Sequence, residues 1–114
     1  MEIKVIVGPY LHYLGIVGLL YDEFAPTYFI LFDEDFYKEL TPEEREAMVA
    51  HESGHILHKH PHNRSRAALT ELQVLADNFG AKFVHPKHLI GVLDKAYADH
   101  IIRRHHLEIL SQGR

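Results

Sequence analysis

The sequence contains no cysteine, and seven glycines and five prolines are all it holds of the two residues that break regular structure, among 114 in total. The missing thiols exclude a disulfide scaffold, a thiolate zinc finger and a cysteine nucleophile. They fit an intracellular chain, and the expected location is the cytoplasm. Positive charge is also scarce: twelve Lys and Arg face sixteen Asp and Glu, a net charge of −4 with the signs interspersed. No basic footprint marks a nucleic-acid partner. Long apolar runs are missing too. The best one, residues 5–21, carries Pro9, His12 and three glycines and sits at the short limit for spanning a bilayer. No small-residue cleavage site follows it before Tyr21-Asp22-Glu23, which argues against a signal peptide. Neither a membrane nor a nucleic acid is expected as a partner.

The composition that is present, 46% hydrophobic, 25% charged and 11% aromatic, is that of a globular protein. No repeat or linker interrupts it, so residues 1–114 read as one domain. A chain of this size should bury roughly two-thirds of the surface it exposes when unfolded. The unusual feature is eleven histidines. Full protonation would carry the net charge from −4 to +7.

Residues 3–7 read as a short strand stopped by Gly8-Pro9, and residues 28–32, rich in aromatics and Ile, as another. Between them the pattern is ambiguous, with a short helix from Pro9 to Leu14 and a strand from Gly15 to Tyr21. Pro26 favours a turn or an edge position for the strand that follows. Thr41-Pro42-Glu43-Glu44 is a capping box with proline at the first helical position. The helix it opens should run to about Lys59, before Pro61. From residue 65 or 66 to Val84, apolar residues at spacings of three and four predict an amphipathic helix, and a last helical region follows over 87–110. Strands followed by helices make an α+β fold: a small twisted sheet of about three strands packed on the helices.

Residues 51–55 read His-Glu-Ser-Gly-His inside the capped helix. His51 and His55, four apart, stack on one face, so that their imidazoles can converge on one ion. Glu52 lies ~100° around the helix. There it can reach a water on the ion without binding the metal, take its proton and pass it to a leaving amine. Shuffling this composition would produce the pattern about once in eleven tries, so placement on a well-capped helix carries the weight. Ala47, Ala50 and Leu57, with Met48, give that helix an apolar side. Gly54 costs helix propensity and makes sense where another backbone or a substrate passes close.

Thr-Pro-Glu-Glu, then His-Glu-Ser-Gly-His-Ile-Leu-His-Lys-His-Pro, then a second helix with Glu and Ala-Asp, resembles the gluzincin metallopeptidases over about residues 27–84. The short length is similar to that of the soluble minigluzincins. The resemblance implies a minimal zincin-like fold and one Zn²⁺ per chain. It implies His51 and His55 as ligands, Glu52 as general base, and a third ligand from a following glutamate helix. The family pattern there is Glu-x-x-x-Asp, with the aspartate partnering a ligand histidine. Aligning on Ala76-Asp77 puts Gln73 at the ligand position, whereas aligning on the helix's glutamate selects Glu71 and replaces the aspartate by Leu75. An ionised carboxylate is the better zinc ligand, which favours Glu71. The helical wheel favours Gln73, which shares a face with Asp77.

Of the other histidines, His58, His60 and His62 suit a helix end, His100 a hydrogen-bonded interior place, and His105-His106 a solvated face. Tyr97, His85 and His88 are candidates for stabilising an oxyanion. Two further expectations are an edge strand at 28–32 pairing with extended substrate, and a tail beyond Asp99 that caps the metal and keeps the enzyme latent. The expected function is a zinc endopeptidase acting on peptide or protein substrates. The alternative is a zinc-binding, inactive regulatory or interaction module that oligomerises through its apolar tail.

Overall fold

A computed structural model describes residues 2–10, 16–58, 66–96 and 100–114, with the side chains of 66–69 outside the description. The chain is α+β, with three strands followed by five helices among the described residues. It divides into two compact units, Met1–Thr41 and Pro42–Arg114.

The first unit holds β1 (Glu2–Gly8), β2 (Val17–Asp22), β3 (Thr27–Asp33) and α1 (Glu34–Glu39). The sheet order is β1-β3-β2, with β1 parallel and β2 antiparallel to β3. β3 is therefore the central strand. Its Ile30, Leu31 and Phe32 are all buried, and a run that is apolar on both faces suits a strand flanked on both sides. This corrects the expectation that residues 28–32 form an edge open to substrate, because both hydrogen-bonding edges of β3 are already used. Residues 23–26, Pro26 included, form the turn between β2 and β3. Asp22 shapes its start, accepting from the Phe24 N–H at 3.0 Å. Across the turn Tyr21 and Tyr28 are register partners with ring centroids 4.6 Å apart. The short helix α1 has no counterpart in the sequence reading. Asp33 caps it, accepting from the N–H groups of Asp35 and Phe36 at 3.2 and 3.5 Å.

The second unit is helical: α2 (Pro42–Leu57), α3 (Arg66–Gly80), α4 (Pro86–Lys95) and α5 (Ile101–Gln112). Proline opens both α2 and α4, as its preset φ and missing N–H favour. Two boundaries differ from expectation. α3 ends at Gly80 rather than Val84, and the last helical region is two helices rather than one. His85 explains the first: its Nδ1 accepts from the Lys87 N–H at 3.1 Å and so caps α4, which leaves residues 81–84 as a turn. The core of this unit gathers Ala47 of α2, Leu89 and Leu93 of α4, and Leu107 of α5, with Val84, Ile90 and Leu110 packed against them. A second tie joins α2 to α4. Lys95 donates to the buried Glu44 carboxylate, which lies over Gly91, where a β-carbon would collide with Glu44 Oε2. No described helix is long and apolar enough to cross a membrane.

Candidate metal centre

α2 and α3 lie against each other because small residues face the contact. A β-carbon on Gly54 would meet Phe79 Cβ at 3.1 Å and the Ala76 Cα at 3.2 Å. On the opposite helix, one on Gly80 would stand 3.4 Å from the His51 backbone nitrogen. The close backbone approach anticipated for Gly54 is that of α3.

This packing brings Gln73 and Asp77 of α3, one turn apart, against His51 and His55 of α2. Gln73 Oε1 lies 2.7 Å from His51 Nε2 and 2.9 Å from His55 Nε2. The two Nε2 atoms are 3.1 Å apart, and the rings meet nearly edge-on at 86°. Both histidines are buried. Glu71, which lies two residues from Gln73 and about 160° away around the helix, is not brought to this group and is exposed to solvent. Gln73 thus stands where the carboxylate argument had put Glu71, and the face shared with Asp77 is the reason.

Asp77 fixes the orientation of His51. Its Oδ1 lies 2.8 Å from His51 Nδ1, and it is fully buried. Burial pushes its carboxyl up, but hydrogen bonds from Arg103 and His51 outweigh that and bring its pKa down to about 2. An ionised carboxylate only accepts, so Nδ1 of His51 carries the proton and donates it. In the neutral ring, Nε2 is then a bare lone pair facing the lone pairs of Gln73 Oε1. Two acceptors at 2.7 Å repel unless positive charge lies beside them, which a metal ion or an N–H on His55 Nε2, 2.9 Å from the oxygen and 3.1 Å from His51 Nε2, would supply. The three donor atoms stand 2.7, 2.9 and 3.1 Å apart, close enough to share one ion though tighter than the about 3.3 Å between ligands held ~2.05 Å from a tetrahedral ion. Because Gln73 is an amide, the described residues contain no group of three His, Cys, Asp or Glu side chains able to hold a metal.

Glu52 is buried, and burial pushes its carboxyl above its usual range against the opposing pull of His51 and Arg103. Of the remaining candidates, His85 serves as the cap described above, and His88 is half-buried on α4. Tyr97, His60 and His62 lie outside the described residues. His58 is exposed, with Nδ1 2.7 Å from the Gly54 carbonyl. His106 is half-buried rather than solvated, its Nε2 2.6 Å from Asn78 Oδ1.

A family model described as "putative phage metallopeptidase" matches residues 2–88. The chain belongs to this phage metallopeptidase family. Membership assigns it to the metal-dependent peptidases, a class of hydrolases, and the match spans His51, Glu52, His55, Gln73 and Asp77. No curated protein and no solved structure matches the chain significantly. The sequence reading weighed Gln73, through the Ala76-Asp77 alignment and the face shared with Asp77, but favoured Glu71, and it missed Arg103 altogether. Arg103 carried no local signal, since it is 26 residues from its partner.

Proposed function

We propose that the chain is a zinc-dependent endopeptidase in which His51, His55 and Gln73 hold one Zn²⁺ and Glu52 is the general base and then the general acid. The observation that carries this reading is the convergence of two imidazole nitrogens and an amide oxygen within 3.1 Å of one another. When bound, zinc supplies Lewis acidity, which polarises a peptide carbonyl and makes a water easier to deprotonate. The rest falls to the protein. Asp77 holds His51 in the tautomer that leaves Nε2 free for a metal. Glu52, whose carboxyl burial makes more basic than usual, accepts a proton from water and donates it to the departing amine. Its position next to His51 in sequence keeps it on the adjoining helical face.

Casein or peptide cleavage by the purified chain tests the reading. Cleavage is expected to vanish in Glu52→Gln while bound zinc remains. Zinc binding without cleavage by the unaltered protein would favour the second reading, an inactive metal-binding module. The neutral amide at position 73, a weaker donor than a carboxylate, is the feature that supports that alternative.

A further inference from the structure

Asp77 is held from two sides. From α2 comes His51 Nδ1, and from α5 comes the Arg103 guanidinium, with Nε 2.8 Å from Oδ2 and Nη2 2.9 Å from Oδ1. The contact is a two-pronged fork, which fixes the carboxylate in plane as well as in place. Oδ1 receives both Arg103 and His51, so any rotation of the carboxylate about its own axis moves the acceptor that orients the imidazole. The Arg103 side chain is itself 11% exposed and Asp77 is 0% exposed, so water cannot take over the guanidinium's part.

We propose that Arg103 is a positioning residue for the metal centre: through Asp77 it sets the angle and tautomer of the His51 ring. The inference rests on the metal-centre reading above and deepens it. It also gives the C-terminal segment, whose sequence suggested a blocking tail, a supporting part. A plain helix tie is the rival explanation, and the structure supplies its control. His106 Nε2 and Asn78 Oδ1, 2.6 Å apart, form a separate link between α5 and α3, made by the residue next to Asp77 rather than by Asp77 itself.

Arg103→Ala would leave a buried carboxylate without its counter-charge and is prone to unfold. Arg103→Lys keeps the charge and loses the fork, and His106→Ala breaks the control link. Zinc would be titrated into the full-length metal-free chain and both variants, and the His51 Nδ1–H proton followed by NMR before zinc is added. Arg103→Lys is expected to weaken zinc binding roughly tenfold to a hundredfold and to speed exchange of the His51 Nδ1 proton. His106→Ala is expected to change neither, whatever it does to the melting temperature. Equal zinc affinity and equal proton exchange in Arg103→Lys and the unaltered chain would overturn the proposal. So would losses of the same size in both variants. An unaltered chain that takes up no zinc would instead refute the metal-centre reading, and the proton-exchange comparison would still decide whether Arg103 orients His51.

Discussion

An amide and a carboxylate have nearly the same shape and differ by a whole charge. That difference decides what position 73 can do. With Gln73 at the junction of the two Nε2 atoms, Gln73→Glu should tighten zinc binding roughly tenfold or more, as expected when an anionic oxygen replaces a neutral one. Glu71→Gln, at an exposed position, should leave it unchanged. Zinc titrations of the two variants distinguish the positions. Asp77 makes a prediction for the metal-free chain. Its pKa of about 2, against 3.8 for an ordinary aspartate, contributes stability above pH ~4 that is lost as the pH falls toward 2. About 2 kcal/mol is at stake. Urea unfolding between pH 5 and 2 should show this loss in the unaltered protein and a flatter profile in Asp77→Asn. At this scale the sequence was legible where spacing fixes geometry: His51 and His55 meet because they are four apart on one helix. It was illegible where a contact depends on how distant helices pack, as with Arg103 and Asp77.

Helices α2 and α3 make the centre only because glycine lets them approach. Gly54→Val would press a branched side chain into Phe79 and the Ala76 backbone, both already within 3.2 Å of an added β-carbon. A loss of about 1–3 kcal/mol in chemical unfolding is expected, together with weaker zinc binding as Gln73 is pushed away from the histidines. A mutant with unchanged unfolding and unchanged affinity would mean that the helices have room to spare. Gly91→Ala is a sharper case at another contact. Its β-carbon collides with Glu44 Oε2, so it should break the Glu44–Lys95 pair and lower the melting temperature without touching the histidines. The elements themselves were largely readable. Proline marked the starts of α2 and α4, with a capping box at α2, and short apolar runs, aromatic-rich in the case of 28–32, marked β1 and β3. The helix α1 was missed although Asp33 caps it, because six residues show no helical periodicity. The central place of β3 was written in its unbroken apolar run, Tyr-Phe-Ile-Leu-Phe, but strand order depends on pairing that a single strand does not reveal.

Over the whole chain, the family match covers the three strands and the first three helices completely and stops at residue 88, just inside α4, so α5 lies beyond it. The part that carries chemistry in the proposed function therefore belongs to the phage metallopeptidase pattern, and the Arg103 brace is contributed from outside the matched stretch. The α+β class followed directly from the order of strand and helix signals. The division into two compact units did not, since no linker-like composition marks position 41. A metal that binds only the folded chain must stabilise it, by about 2.7 kcal/mol at a free concentration one hundred times Kd. The most direct test of the central claim is therefore metal content and melting temperature measured together on the metal-free chain after zinc is restored. One zinc per chain and a clear rise in Tm are expected, both lost when His51 and His55 are replaced by alanine. A chain that stays free of zinc and melts at the same temperature with and without it would contradict the account.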